Sequence, residues 1–331
     1  MCFSPIFLKQ CRHRLPEIAL NPFSSPWWLP GGHLQTVLAS LRPPPRVALR
    51  RERWDTPDGD FIDVDFCGDP GAKTQLVLFH GLEGCSDSHY ARAIAAHAAD
   101  QGWRLAIPHF RGCSGELNRR PRAYHSGDSE EIDWVLKRFG VQVHAVGISL
   151  GGNALLKWLG ERGVEACALV RRAAAVSAPI DLSAAGNALD RGLNRLVYTR
   201  HFLSTLKPKS LAKLEVFPGI YDLEKVRAAR SFREFDGTVT APLHGFRDAD
   251  HYWTSASSGP HLEHIRVPTL VLNARNDPFL PEQDLLAAAR KAAPCVVLEF
   301  PRTGGHAGFL VGPFPGSHRW LPRHLFEFLS K

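Results

Sequence analysis

The sequence predicts the α/β fold class, with a mostly parallel central sheet flanked by helices. From Gln75 to Ser177 short apolar segments alternate with helical patterns, and the alternation resumes after Pro268. Repeated strand–helix units form parallel sheets that are covered by helices on both faces. Mixed helical patterns and aromatic, polar loops interrupt the alternation. We therefore expect a single domain over residues 1–331, with a helical and loop insertion at 180–262 that lies over the carboxyl ends of the strands as a lid.

The N-terminal segment, residues 1–45, is rich in proline and contains the pair Trp27-Trp28. Aromatic side chains in such a segment favour packing against the domain. Charged residues interrupt residues 1–20 and no small-residue cleavage site follows, which is not typical of a signal peptide. No apolar run approaches the roughly 20 residues of a membrane-spanning helix. We therefore expect a cytoplasmic protein without an integral membrane segment, and we leave peripheral membrane contact open.

The individual elements follow from hydrophobic period and from turn residues. Alternating segments around Pro57-Asp58-Gly59 predict an antiparallel hairpin. Asp128 or Ser129 is suited to cap one helix, which Gly140 ends. The predicted strands are 48–55, 61–66, 76–79, 103–108, a run that begins at His144, 173–177, 269–273 and 296–300. The predicted helices are 90–99, 129–139, 153–159, 188–198, 223–235, 282–292 and 319–329.

Composition argues against several classes of function. The net charge of +7 comes mostly from scattered arginines, and the densest cluster, Arg119, Arg120 and Arg122, lacks interleaved aromatic residues. A solvated surface is therefore favoured over a nucleic-acid site. The seven cysteines are scattered and form no Cys-x-x-Cys pair, which favours reduced thiols. The segment 261–264 (His-Leu-Glu-His) is not a His-Glu-x-x-His motif, so we predict no metal and no cofactor. The oligomeric state is left open.

The segment from His144 to Gly152 is typical of a nucleophile elbow. An apolar run leads into Gly-Ile-Ser-Leu-Gly, and a helical pattern follows without a break. Glycine is needed at 147 and 151 because a Cβ there would collide with the neighbouring strand and helix. Ser149 would be held in a strained backbone conformation beside a helix N-terminus. The same five-residue pattern also occurs in ordinary turns, but these flanking segments favour a nucleophile.

A serine hydroxyl is a weak nucleophile near neutral pH, so it needs a base that is oriented by an acid. In folds with such an elbow, the acid and the histidine follow later strands, in that order along the chain. Asp277 follows the predicted strand 269–273, and His306 lies in a glycine-flanked loop after the final strand. We therefore predict Ser149 as nucleophile, His306 as base and Asp277 as its orienting acid.

Other acids and histidines fit these roles less well. Asp284 lies within a predicted helix, and Asp250 lies in the insertion. His318 and His324 lie in or near the C-terminal helix, where a solvated surface position is the usual one. Cys85 and Cys113 flank loops of the predicted site, but no histidine is placed to activate them, so we interpret both as small buried residues. For residues 124–128 (Tyr-His-Ser-Gly-Asp) we expect hydrogen bonds that fix a loop.

The oxyanion of an acyl-transfer intermediate needs two backbone N–H donors. The first is expected from Leu150, directly after the nucleophile. The second is expected from Leu82, in the loop 80–84 (His-Gly-Leu-Glu-Gly) after a predicted strand. Gly81 and Gly84 allow the backbone of this loop to curl toward the substrate.

With these motifs in place, the chain resembles the YheT-like (EMB8-like) branch of the α/β-hydrolases, which is related to eukaryotic abhydrolase phospholipase-type proteins. The resemblance rests on motifs distributed from about residue 20 to the C-terminus: 21–23, 33–36, 80–84, 110–115, 124–127, 147–151, 235–236, 240–246, 276–278 and 304–309. It implies an α/β-hydrolase fold and carboxylic-ester hydrolysis, with the family's serine, aspartate and histidine at Ser149, Asp277 and His306. Cys85 stands where a serine is usual in this family, and His109 where asparagine is common.

These observations predict a serine esterase that acts on a small-molecule ester or lipid-like substrate through an acyl-enzyme, with short- to medium-chain acyl groups favoured. A lipase or phospholipase and an acyltransferase use the same three residues and stay as alternatives; a non-catalytic binding protein is the weaker one. Aromatic side chains of the insertion are expected to form an apolar substrate pocket. They are Phe202, Phe217, Tyr221, Phe246, Tyr252 and Trp253.

Overall fold

The computed structural model describes residues 22–331. The predictions that concern residues 1–21, including the signal-peptide interpretation, Cys2, Cys11 and Asn21 of the first family motif, lie outside the described residues.

An eight-stranded sheet forms the centre of the described chain, in the strand order β1-β2-β4-β3-β5-β6-β7-β8. Its strands are β1 (Arg50–Asp55), β2 (Phe61–Cys67), β3 (Gln75–Phe79), β4 (Arg104–Pro108), β5 (Val143–Ile148), β6 (Val170–Val176), β7 (Thr269–Leu272) and β8 (Val296–Glu299). β1 pairs with β2, and β2 with β4, in antiparallel orientation. The remaining neighbours are parallel. The predicted fold class is confirmed.

Helices cover the sheet and fill the connection between β6 and β7. Those outside this connection are α1 (Gly32–Leu41), α2 (His89–Asp100), α3 (Ser129–Arg138), α4 (Leu150–Arg162), α12 (Glu282–Ala289) and α13 (Trp320–Leu329). Those inside it are α5 (Leu182–Leu189), α6 (Gly192–Asn194), α7 (Arg200–Val216), α8 (Leu223–Ala228), α9 (Phe232–Phe235), α10 (Ala241–Leu243) and α11 (Ala249–Ala256). The described residues also form two π-helical turns, Arg195–Thr199 and Asp236–Thr240, and two 3₁₀ turns, Gly163–Ala168 and Gly259–His264. Among residues 22–331, no helix is both long and apolar enough to cross a membrane.

The sheet is buried on both faces. Along β3, Leu76 and Leu78 pack in one apolar cluster, while Val77 and Phe79 pack in the cluster on the other side. Every residue of β3, β5 and β7 is buried. This explains why these strands are mostly apolar in the sequence and do not alternate regularly between apolar and polar residues.

Two predictions about helices and one about a histidine are wrong. The predicted helix 188–198 is broken after Leu189 and a new helix starts at Gly192, while the predicted helix 223–235 is broken between Ala228 and Phe232. The carboxylate of Asp190 accepts hydrogen bonds from the N–H groups of Phe232 and Arg233, at 2.6 and 2.9 Å. Asp190 therefore ends one helix and caps the start of another.

His324 is not a surface residue. Its side chain lies on the buried face of α13, and Nε2 lies 2.6 Å from Oε2 of Glu299 on β8. The indole ring of Trp320 stacks on its imidazole. The C-terminal helix was correctly predicted, but His324 lies on its buried face, where it is paired with a carboxylate and is not exposed to solvent.

Candidate active site

The strand-to-helix turn between β5 and α4 carries Ser149 in a strained conformation, with φ of 52° and ψ of −119°. A non-glycine residue seldom adopts this region unless its surroundings hold it there. A Cβ added at Gly147 would lie 2.4 Å from the carbonyl oxygen of Gly151, and one added at Gly151 would lie 2.5 Å from that of Phe79. The turn is so tight that only glycine fits on either side of the serine.

Three side chains from separate loops meet at this turn. His306 Nε2 lies 2.9 Å from Ser149 Oγ, and His306 Nδ1 lies 2.9 Å from Oδ2 of Asp277. Because the Asp277 carboxylate accepts the proton on Nδ1, the lone pair on Nε2 faces the serine hydroxyl. The Asp277 side chain is fully buried and that of His306 is 11% exposed. This geometry allows Nε2 to accept the serine proton while a substrate approaches from the cavity.

Phe279, which the sequence analysis did not single out, contacts both members of the histidine–aspartate pair. Its N–H donates to Oδ1 of Asp277 at 2.8 Å, and its ring stacks on the imidazole of His306. In the sequence, the only indication of a role for Phe279 was its position two residues after Asp277, and this indication is weak.

Helix α1, the first helix of the described residues, holds the loops that carry Asp277 and His306. Thr36 Oγ1 accepts a hydrogen bond from the N–H of His306 at 2.9 Å. Gln35 Oε1 accepts from the N–H of Gly304 at 2.7 Å and from Nδ2 of Asn276 at 3.1 Å. Both side chains are buried. The sequence analysis placed this pair in a family motif but assigned it no role; two adjacent polar residues within a mostly apolar segment were the available signal.

The loop after β3 contains Leu82, which lines the same cavity as Ser149. The N–H of Gly81 donates to the hydroxyl of Tyr90, and the N–H of Glu83 donates to the hydroxyl of Tyr124. Between them, the N–H of Leu82 has no acceptor within the described residues, nor has the N–H of Leu150 at the start of α4. Leu82, Leu150 and Ser149 line the same cavity. Two unpaired donors therefore lie next to the candidate nucleophile.

His80 holds the start of this loop in place, and its imidazole is neutral. Its Nε2 accepts the N–H of Phe110 at 3.0 Å, so Nδ1 carries the proton and donates to the carbonyl oxygen of Gly81 at 2.8 Å. Burial, together with His109 nearby, lowers the pKa of His80 to about 3. His109 does not touch the three central side chains; its Nε2 lies 2.8 Å from Oδ2 of Asp65.

The acids, histidines and cysteines that were considered as alternatives do not join Ser149, His306 and Asp277. Asp284 lies on α12, and Asp250 forms an ion pair with Arg233 inside the insertion. His318 bonds to the carbonyl oxygen of Arg42. Cys113 is buried as expected, and burial raises the pKa of its thiol to about 12, which disfavours a thiolate. Cys85 is only half-buried, which corrects its interpretation as a small buried residue.

A mainly apolar cavity of about 160 Å³ extends from Ser149 and His306 beneath the helices of the insertion. Four of the six predicted aromatic residues line it: Phe202, Tyr221, Tyr252 and Trp253. Phe217 and Phe246 do not, so the pocket prediction is wrong for these two. The cavity also has lining side chains that the sequence analysis missed: Leu189, Leu206, Phe232, Phe235, Val239 and Phe279.

The family model and the similar proteins of known name agree on one family for this chain. The family described as alpha/beta hydrolase fold matches residues 74–313. The chain is 38% identical over 309 residues to the candidate esterase YheT of Escherichia coli (strain K12), and the match covers 90% of each chain. It is 29% identical to phospholipase ABHD3 of Mus musculus, over 92% of this chain and 76% of that protein.

Solved structures agree on the fold. An esterase from Exiguobacterium antarcticum superimposes with a TM-score of 0.57 at 17% identity, covering 85% of this chain and all of that one. A structure described as a membrane phospholipase A gives a TM-score of 0.56 at 18% identity, covering 90% of this chain and 88% of that one.

Proposed function

The chain belongs to the α/β-hydrolase family, in the branch that includes YheT, and we propose that it is a serine esterase that cleaves carboxylic esters through an acyl-enzyme intermediate. The observation that carries this proposal is the hydrogen-bonded series from Ser149 through His306 to Asp277, with both links at 2.9 Å. The relatives named as esterase and phospholipase, whose matches cover at least nine-tenths of this chain, support ester cleavage as the reaction.

In the acylation step, Oγ of Ser149 attacks the ester carbonyl carbon while Nε2 of His306 takes the hydroxyl proton. The N–H groups of Leu82 and Leu150 donate to the resulting oxyanion. The protonated His306 then gives its proton to the departing alkoxide, the carbon–oxygen bond of the ester breaks, and an alcohol leaves. Asp277 holds the imidazole in the required tautomer and stabilises its positive charge.

In the deacylation step, water replaces the alcohol. Nε2 of His306 takes a proton from this water as its oxygen attacks the acyl carbon, and the same donors hold the second oxyanion. The proton then returns to Oγ of Ser149 as the acyl–oxygen bond breaks. The products are a carboxylic acid and free enzyme.

The cavity indicates the acyl group. Its volume of about 160 Å³ is close to that of an engineered protein cavity of about 150 Å³ that binds benzene, so an acyl chain of about six carbon atoms fits it. Its walls are mostly apolar, which favours an aliphatic or aromatic group over a polar one. We therefore propose short- to medium-chain acyl esters as substrates.

The test is a series of 4-nitrophenyl esters from acetate to palmitate, with Ser149→Ala as control. We expect kcat/KM to be highest near hexanoate and to fall for palmitate, and we expect no burst or turnover from Ser149→Ala. A fluorophosphonate probe should label the wild type and not the variant. If Ser149→Ala hydrolysed these esters as fast as the wild type, the proposed mechanism would be wrong.

A lipid-directed lipase or phospholipase is the second candidate, because a relative that is 29% identical is named a phospholipase and because the cavity is apolar. It predicts a different outcome of the same series. Activity would rise with the length of the acyl chain of the ester. It would increase further with a phospholipid substrate presented in vesicles, above the concentration at which the lipid aggregates. Faster hydrolysis of soluble hexanoate esters than of vesicular phospholipid would exclude it.

A further inference from the structure

Glu83 is a strained residue directly after one of the proposed oxyanion donors. Its φ is 55°, in the left-handed region that non-glycine residues seldom adopt. Leu82, whose N–H is the proposed donor, precedes it. Because the two residues are adjacent in one short loop, a rearrangement of the backbone at Glu83 would also displace the Leu82 N–H.

Tyr124 holds Glu83 from the side of the domain. Its hydroxyl accepts the N–H of Glu83 at 2.8 Å and donates to Oε1 of the same residue at 2.8 Å. The ring of Tyr124 stacks on Phe110, with centroids 5.4 Å apart. Phe110 is in turn bonded through its N–H to His80 at the base of the loop.

Lys209 holds Glu83 from the side of the insertion. Its Nζ donates to Oε1 of Glu83 at 2.9 Å, and the Glu83 side chain is 8% exposed. Lys209 belongs to α7, and Phe202, Leu206 and Lys213 lie on the same helical face toward the cavity. The helix that covers the substrate cavity is thus ion-paired to the loop that carries the Leu82 donor.

We propose that Lys209 is a positioning residue for ester hydrolysis, which fixes the oxyanion donor at Leu82 through its ion pair with Glu83. The inference rests on the proposed esterase function. When α7 covers the cavity, the ammonium group neutralises the Glu83 carboxylate and the loop keeps its strained form. Without the ammonium group, the nearly buried carboxylate has only the Tyr124 hydroxyl as a partner among residues 22–331, and it is expected to turn toward water and displace the loop.

The experiment is a double-mutant cycle with Lys209→Met, Glu83→Gln and the combined variant, measured with 4-nitrophenyl hexanoate. We expect Lys209→Met to lower kcat about tenfold, because a displaced oxyanion donor weakens transition-state binding. In the Glu83→Gln background the same substitution should change kcat by less than about twofold, because the ion pair is already absent. The inhibition constant of a trifluoromethyl ketone, which forms an oxyanion on the serine, should rise in parallel with the loss of kcat.

Lys207→Met is the matched control, because Nζ of Lys207 bonds to carbonyl oxygens of Arg227 and Ala229 within the insertion. It should keep the wild-type kcat. Lys209→Arg keeps a positive charge at this position and should retain at least half of the activity that Lys209→Met loses. If Lys209→Met fails to fold, Lys209→Arg is measured in its place.

Two outcomes would overturn the proposal. One is a wild-type kcat for folded Lys209→Met; the other is an equal loss in both backgrounds, which would indicate packing of Lys209 without an action through Glu83. Failure of the esterase proposal is recognised separately, because Ser149→Ala would then keep activity or the wild type would hydrolyse no ester.

Discussion

The phenyl ring of Phe279 stacks on the imidazole of His306, with ring centroids 4.0 Å apart and planes inclined by 27°. Phe279 is 6% exposed and lines the cavity, so it stands between the histidine and the insertion. The ring leaves the imidazole free at both nitrogens while it limits rotation of the side chain. A residue without polar side-chain atoms thus contributes to the orientation of the proposed base.

Replacing Phe279 by leucine should therefore lower kcat about tenfold, because an imidazole that can tilt loses its alignment with Ser149 Oγ. The rate of fluorophosphonate labelling should fall by a similar factor. Phe217→Leu is the matched control, since Phe217 does not line the cavity. Equal rates for Phe279→Leu and the wild type would contradict a role in orienting His306.

Asp277→Asn should lower kcat by about 10⁴-fold, because an amide would favour the wrong imidazole tautomer. Asp284→Asn, on α12, should leave kcat unchanged. Steady-state hydrolysis of 4-nitrophenyl hexanoate measures both. Activity in Asp277→Asn close to that of the wild type would remove Asp277 from the mechanism.

Thr36→Val tests whether α1 acts on the site from the start of the described chain. Valine has nearly the shape of threonine, but the N–H of His306 and the carbonyl oxygen of Gly32 lose their partner at Oγ1. We expect a loss of about 1–3 kcal/mol in the free energy of unfolding and a lower kcat. Ser40→Ala, on the same helix but exposed, should change neither in urea titrations or rate assays.

Gly151→Ala should destabilise the protein by about 2–3 kcal/mol, because its Cβ would lie 2.5 Å from the carbonyl oxygens of Phe79 and His80. Gly237→Ala is the control: its Cβ would meet atoms of Ala249 only near 4 Å. That variant should be neutral or slightly more stable, since alanine favours helical conformations. A Gly151→Ala variant with wild-type stability would show that the elbow has room to relax.

His144, on β5, makes stability depend on pH. Burial, with Arg171 and Arg172 nearby, lowers its pKa from 6.5 to about 4. The unfolded chain then binds a proton that the folded one does not, so the contribution is complete above pH 6.5 and is lost as pH falls toward 4.

Between pH 6.5 and about 4, the free energy of unfolding of the wild type should therefore fall with decreasing pH more steeply than that of His144→Phe. The difference in slope should be about 1.4 kcal/mol per pH unit. Urea unfolding at pH 7 and at pH 5 measures the difference. Parallel losses for the two proteins would contradict a neutral, buried His144.

Local pattern predicted much of the fold. Strand positions, the mostly parallel sheet and the need for glycine at 147 and 151 follow from hydrophobic period and from steric limits within a few residues. The order of Ser149, Asp277 and His306 along the chain was enough to nominate them, and the structure brings their side chains within hydrogen-bond distance. Their catalytic roles stay predictions until the variants are measured.

Helical period alone did not predict the helix boundaries in the insertion. The helix that begins at Phe232 has a local cap at Ser231, and Asp190 adds a contact across about forty residues by accepting the N–H groups of Phe232 and Arg233. The pairing of His324 with Glu299 has the same origin. Helical periodicity identifies a buried face but not the polar group that a distant strand supplies to it.

The sequence by itself determined the α/β class, the elbow around Ser149 and the candidate base and acid, because each depends on neighbours along the chain. The tertiary structure alone decided the contacts around them: Thr36 bonds to the loop of His306, Phe279 stacks on its imidazole, and Lys209 pairs with Glu83 beside the proposed donor at Leu82. Most of these contacts join residues far apart in sequence. Periodicity records which side of an element is buried, whereas the partner across the interface is chosen only when the elements pack.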